Sequence, residues 1–163
     1  MSLRAVLAIL LLAGCAYGRG LSVGHSTIDD VRVSMGEPSL VRDYSDGTKT
    51  LFYSKLPYGR EIWAAVVDKD GVLLAFEQRL TDKWIARIQP EKSTAEDALD
   101  LLGPPYRRAK MALKNDVAWE YQIRTMPENQ TLYLEISPDG VVRKAYRLFD
   151  RDLRRPGFGF GFP

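Results

Sequence analysis

The chain has very little of what most active sites are built from. Its 163 residues include one cysteine and one histidine. A lone cysteine excludes an internal disulfide framework and any metal site built on several thiolates. A lone histidine, His25, excludes a histidine-clustered zinc centre and leaves one side chain suited to acid–base work near neutral pH. It stands directly before a helix start, where an exposed histidine is the ordinary outcome. Charge of one sign is missing too. The 23 Lys and Arg against 21 Asp and Glu give a net charge of +2, scattered along the chain, with no basic groove for nucleic acid. No run reaches the roughly 18–20 apolar residues of a spanning helix. These absences predict a non-enzymatic protein with no catalytic residue, no metal and no cofactor.

What is present begins at the N-terminus. Arg4 precedes an apolar stretch from Ala5 to Ala13, too short to cross a bilayer. It runs into Leu12-Ala13-Gly14-Cys15, which matches a bacterial lipobox at all four positions. Small residues let the backbone enter a signal peptidase cleft, and the thiol is the nucleophile that accepts a diacylglyceryl group. The only cysteine sits at the one position where that chemistry requires it. The expectation is a signal peptide over 1–14 and a lipidated tether over 15–25, with diacylglycerol and an N-acyl chain such as palmitate on Cys15. Each buried methylene contributes ~0.8 kcal/mol to anchoring. Ala16, rather than aspartate, follows the cysteine, which by the sorting rules of such proteins favours the periplasmic face of the outer membrane. Glycines at 18, 20 and 24 read as a flexible tether.

The remainder reads as one unit written twice. Ser26-Thr27, Asp30, Gly36 and Pro38 recur as Ser93-Thr94, Asp97, Gly103 and Pro105 at an offset of 67, and Phe52 meets Trp119 at the same offset. Asp70-Gly71-Val72 recurs as Asp139-Gly140-Val141 at 69, so the second copy has gained two residues. The copies span 26–82 and 93–150. Each opens on a capping box, Thr27-x-x-Asp30 and Thr94-x-x-Asp97, in which the threonine hydroxyl meets free first-turn amides and the carboxylate suits the helix dipole. Ile28, Val31 and Met35 share one helical face, as do Ala95, Ala98, Leu99 and Leu102. Gly36 and Gly103 end the helices, and Pro38 and Pro105 prevent continuation.

Three strands are predicted after each helix: 50–55, 61–68 and 72–80, then 117–124, 131–137 and 141–149. Asp68-Lys69-Asp70-Gly71 and Ser137-Pro138-Asp139-Gly140 are hairpin turns. A calcium loop starting at Asp68 would need glycine and glutamate where Leu73 and Arg79 stand. Trp84, Ile85 and Ile88 predict a connecting helix over 82–90, ended by Pro90. The fold class is therefore α+β: a tandem repeat of a short helix plus a three-stranded antiparallel meander. One unit is too small for a good core, so side-by-side packing with helices against one continuous sheet is expected.

Gly24-x-x-Thr27-x-x-x-Val31-x-x-x-Met35-Gly36-x-Pro38 resembles the opening motif of the SmpA/OmlA family of outer-membrane assembly factors, the BamE-like domains. Thr94-x-x-x-Ala98-x-x-x-Leu102-Gly103-x-Pro105 repeats it, and the strand around Leu51-Phe52-Tyr53 and the Asp-Gly hairpin also fit. The resemblance covers most of 24–150. It implies a two-layer α+β fold shared with tandem β-lactamase inhibitor proteins, and a role in outer-membrane β-barrel assembly. The family's assembly factor usually has a single copy, and Glu91 stands where a second Gly24 would.

The leading expectation is a lipid-anchored scaffold at the outer membrane whose sheet face or edge strand docks an envelope protein, the β-barrel assembly machine being the candidate partner. The alternative is a periplasmic inhibitor or sensor that binds an envelope enzyme through the tandem sheet face. Aromatic anchors are sought among Tyr44, Phe52, Tyr53, Tyr58, Trp63, Tyr106, Trp119 and Tyr121, half or more of which belong to the core. Tyr58 and Tyr106 stand out because each lies in a polar loop beside a proline. The tail over 151–163 is basic and then alternates glycine with Phe158, Phe160 and Phe162. Its low complexity predicts disorder in isolation, and the three phenylalanines are candidate binding residues.

Overall fold

A computed structural model describes residues 18–153, with side chains through Arg151. Leu12, Ala13, Gly14, Cys15, Phe158, Phe160 and Phe162 lie outside the described residues.

Both capping boxes form. Helix α1 (Ile28–Met35) starts where Thr27 Oγ1 accepts from the Asp30 amide at 3.3 Å, while Asp30 accepts from the Thr27 amide at 2.7 Å. Those donors hold the Asp30 carboxyl below the usual carboxylate range. Helix α3 (Ala95–Leu102) repeats the exchange between Thr94 and Asp97 at 3.1 and 2.7 Å. Gly36 and Gly103 close the two helices with φ of +82° and +81°, a region costly for any residue with a Cβ. Pro38 and Pro105 follow, and the chain turns into a strand.

Each unit then forms four strands, not three. The first sheet has β1 (Leu40–Asp43), β2 (Lys49–Ser54), β3 (Ile62–Val67) and β4 (Leu73–Gln78) in sequential antiparallel order. The second has β5 (Arg107–Lys110), β6 (Val117–Ile123), β7 (Gln130–Ile136) and β8 (Val142–Phe149). The added members, β1 and β5, are short edge strands. Leu40-Val41-Arg42-Asp43 and Arg107-Arg108-Ala109-Lys110 are charge-rich because an edge faces water and charge discourages further pairing, which also hides them from a search for apolar alternation.

The two sheets are not joined into one, and the units do not pack side by side. They stack head to tail. Val31 and Met35 of α1 cover Leu51, Tyr53, Ala65, Val67 and Leu73 on one face of the first sheet. The opposite face, with Phe52, Ile62 and Ala64, packs with Ala98 and Leu102 of α3. The same helix also meets Trp119, Tyr121, Leu132 and Leu134 of the second sheet. The layers therefore run α1, first sheet, α3, second sheet. The reason is legible in the helices. In α1 the exposed face carries Arg32, Val33 and Ser34, whereas α3 adds Ala95, Leu99 and Leu101 to its buried residues and is apolar around more of its circumference. A helix between two sheets needs that.

Register corrects one correspondence. Leu40 pairs with Phe52, and Arg107 pairs with Glu120, so Phe52 matches Glu120 and Leu51 matches Trp119. The extra residues sit in turns: 111–116 against 44–48, and 124–129 against 56–60. This shift decides what the far face of the second sheet is made of. Where the first sheet shows Phe52, Ile62 and Ala64 to α3, the second shows Glu120, Thr131 and Tyr133, and no described helix covers them. Their charges are met within the face: Arg107 pairs with Glu120 at 2.7 Å and Lys114 with Glu135 at 3.0 Å.

Two connections also differ from expectation. The link between the units is helical only over α2 (Asp82–Ile85). Beyond it, Arg87 and Ile88 make i→i+3 bonds to Trp84 and Ile85, and these tighter turns keep Trp84, Ile85 and Ile88 buried without a helix to Pro90. The segment expected as a flexible tether is folded onto the first sheet from residue 18. Leu21 joins the α1 core, and the Gly24 amide donates to the Leu73 carbonyl at 2.7 Å. At the other end a short helix, α4 (Asp150–Leu153), opens the segment expected to be disordered.

Candidate functional site

Stacking brings the loop between β2 and β3 against the end of the second sheet, and a cleft of about 420 Å³ forms between them. Pro57, Tyr58 and Arg60 line it from the first unit; Tyr106, Gln122, Thr131 and Asp150 line it from the second. Its volume falls in the range of ligand-sized pockets. The corresponding loops of the two units meet beside it, where Arg124 Nη2 donates to the Gly59 carbonyl at 3.1 Å.

The floor is polar and held tightly. Arg60 Nη2 donates to Asp150 Oδ2, and both side chains are largely buried. Thr131 Oγ1 donates to Asp150 Oδ1 at 3.1 Å, so each carboxylate oxygen has a donor. Asp150 is itself placed by its amide, which donates to the Asn129 carbonyl at 3.1 Å. Arg60 adopts φ +55°, a left-handed conformation that a non-glycine residue keeps only where its surroundings hold it. Two polar atoms remain unmet: Arg60 Nη1, a donor, and Gln122 Oε1, an acceptor, are buried without a partner.

The mouth is aromatic. Tyr58 is 94% exposed and Tyr106 49% exposed, both among the exposed large apolar side chains of the described residues. The structure thus brings together in one cleft the two tyrosines singled out in sequence. The other aromatic candidates are absorbed elsewhere. Phe52, Tyr53, Trp119 and Tyr121 are core, Trp63 stacks on Phe76 at 5.0 Å, and the Tyr44 hydroxyl donates to Asp100 at 3.1 Å. Thr27, Asp30, Gly36, Pro38 and their counterparts Thr94, Asp97, Gly103 and Pro105 shape the two helices and do not line the cleft. Arg60, Gln122, Thr131 and Asp150 carried no sequence signal, since they come from four separate elements and share no local motif.

Beyond the cleft, the far face of the second sheet continues as a largely buried layer of tyrosines and carboxylates. Tyr133 stacks on Tyr146 at 5.6 Å. Burial, with Glu120 nearby, pushes the Tyr133 phenol up to about 12. Burial, with Glu135 nearby, does the same for Tyr146.

His25 lines a separate shallow hollow with Ser22, Ser26 and Asp30. The groups do not form a relay. Asp30 is committed to the helix cap, Ser26 Oγ accepts from the Ser22 amide at 2.9 Å, and no hydrogen bond of the His25 ring forms among the described residues. No group of three or more metal-ligating side chains occurs among the described residues, and no described helix is long and apolar enough to cross a membrane.

The chain is an α+β protein of two four-stranded antiparallel sheets with few helices. No protein-family model matches it, and no curated protein does. Among solved structures it is similar to a DUF4309 family protein, YjgB, from Bacillus subtilis, at 17% identity over 81% of this chain and 84% of that one, with a TM-score of 0.33. A likeness that distant defines neither the fold nor an activity.

Proposed function

We propose that the protein is a lipid-anchored envelope scaffold that grips a protein partner at the cleft between its two units. The observation that carries this reading is Tyr58, 94% exposed at the mouth of a cleft that exists only because the units stack, with Tyr106 beside it from the other unit. A tyrosine offers large contact area at low entropic cost, and such side chains concentrate binding energy at interfaces. The polar floor would fix orientation, because Asp150 holds Arg60 and Thr131 in one arrangement beneath the two tyrosines.

The anchor is read from Leu12-Ala13-Gly14-Cys15, which supports lipidation of Cys15 and a place at the periplasmic face of the outer membrane. The SmpA/OmlA-like helix motifs in both units support a BamE-like relationship, here with an edge strand added to each meander. They point to the β-barrel assembly machine as partner.

The test is an affinity pulldown from detergent-solubilised envelope with C-terminally tagged wild type, Cys15→Ser, and a Tyr58→Ala/Tyr106→Ala double variant. Stoichiometric recovery of the machine's central barrel subunit is expected with wild type, weakened in both variants. Recovery of a soluble periplasmic enzyme, indifferent to Cys15, would overturn the scaffold and move the assignment to an inhibitor.

A further inference from the structure

The second feature lies away from the cleft, where the first sheet hands over to the link between the units. Arg79 follows β4, and its amide donates to the Ile62 carbonyl at 2.7 Å, which fixes its backbone on the sheet. The residue is only 5% exposed. Its guanidinium carbon stands 3.6 Å from the centre of the Trp84 ring. Arg87 approaches the same ring at 4.3 Å, and the Lys83 ammonium at 5.0 Å. Three cations thus share one indole.

The carboxylates nearby are paired elsewhere. Glu77 is committed to Lys83 at 3.0 Å, and Asp82 to Arg147 at 2.6 Å. Among the described residues no ion pair reaches Arg79 or Arg87, and Arg79 Nε is buried with no hydrogen-bond partner. Burying a guanidinium without a carboxylate is costly. The indole face meets only the flat side of the group, and the N–H donors lie in the guanidinium plane, perpendicular to that contact, so stacking leaves them unused. Arg87, which is exposed, opens this arrangement to solvent. Desolvation pulls the Arg79 guanidinium below its ordinary range; the Glu77 carboxylate offsets part of that pull, and the nearby Arg87 charge adds to it.

A ligand that satisfies this arrangement must bring negative charge and several acceptors in fixed geometry. A tetrahedral oxyanion does both, and planar guanidinium forks bind such groups through paired N–H donors. We propose that Arg79 and Arg87, held on the Trp84 ring with Lys83 beside them, form a binding site for a phosphate-class oxyanion. The ion would replace the missing carboxylate and tie the link between the units to the first sheet. The site uses none of the cleft residues, so it stands or falls independently of the scaffold reading.

The test is calorimetric titration of the purified full chain in detergent with inorganic phosphate, chloride holding ionic strength constant. One saturable site per chain is expected. Arg87→Gln, at an exposed position, should leave the melting temperature in chloride unchanged and weaken phosphate about tenfold or more, as loss of a charged hydrogen bond does. Arg79→Gln should abolish binding. A second arm distinguishes a free anion from a lipid headgroup: Cys15→Ser protein is sedimented with phosphatidylglycerol vesicles, with and without inorganic phosphate. Vesicle binding that phosphate displaces and Arg87→Gln removes identifies the headgroup; phosphate binding without vesicle binding identifies the free anion. Absence of saturable binding in both arms, or affinity unaffected by Arg87→Gln, overturns the site.

Discussion

Replacing Gly103 by alanine tests the head-to-tail stack directly, because Gly36 is a built-in control. Both glycines close a capping-box helix, with φ of +81° and +82°. With ψ of −158° at Gly36 and −167° at Gly103 the backbone lies in a region populated essentially by glycine alone, and adding a Cβ there costs about 1–3 kcal/mol at either position. The surroundings differ. At Gly36 the added carbon meets nothing within 4 Å. At Gly103 it lies 2.7 Å from Phe52 Cδ1 and 3.0 Å from Ile62 Cγ2, side chains of the first sheet that are themselves fully buried. A buried ring cannot swing aside, so overpacking adds about 1–3 kcal/mol. Gly36→Ala should therefore destabilise by about 1–3 kcal/mol and Gly103→Ala by about 2–6 kcal/mol. Urea unfolding of the two variants beside wild type, followed by tryptophan fluorescence, reads the difference. Equal losses would refute the placement of α3 against the first sheet. A partial rescue of Gly103→Ala by Phe52→Leu, which shortens the opposing side chain, is the expected companion result.

Two further outcomes follow from the same geometry. Asp150→Ala removes the acceptor for Arg60 and Thr131 and leaves a largely buried guanidinium unpaired; it should destabilise by about 2–4 kcal/mol in urea unfolding and collapse the Tyr58 loop. A loss under about 0.5 kcal/mol would show that Arg60 is not held by that pair. Tyr133 and Tyr146 bind their protons more tightly when folded, up to about 12 against an ordinary 10.0. Their contribution is thus complete below pH 10 and is lost as pH rises from about 10 to 12, while the unfolded chain ionises first. Tyr121, whose hydroxyl donates to the Gly103 carbonyl at 3.1 Å, shifts the same way under burial. Ultraviolet titration should show a late-ionising tyrosine fraction that appears only as the protein unfolds; a single transition near pH 10 with the fold intact would contradict this.

Local chemistry was easy to read. Thr27 with Asp30 and Thr94 with Asp97 act across three residues, so spacing alone placed both helix starts, and the glycine–proline pairs placed both ends. The buried strands were legible as runs of apolar, aromatic and β-branched residues, and the edge strands were not, because Arg107-Arg108-Ala109-Lys110 is selected for an exposed rim. Matching Phe52 to Trp119 failed by one residue. A turn insertion is invisible to a fixed offset, yet it exchanges the faces of a strand whose side chains alternate. Tyr58 and Tyr106 could be picked as exposed aromatics, but their meeting could not. The residues beneath them, Arg60 and Asp150, are 90 positions apart and paired only by the stack.

Short-range rules thus determined the paired helices, their caps, most of the strands and the α+β class, because each depends on groups a few residues apart. The lipobox is likewise a property of four adjacent residues, independent of any fold. Tertiary structure alone decided that the second helix would serve two sheets, that the last sheet face would be polar, and that a cleft would open between the units. Those outcomes depend on which apolar faces find cover. The first sheet has two such faces and only one helix of its own, so it takes the second from its neighbour.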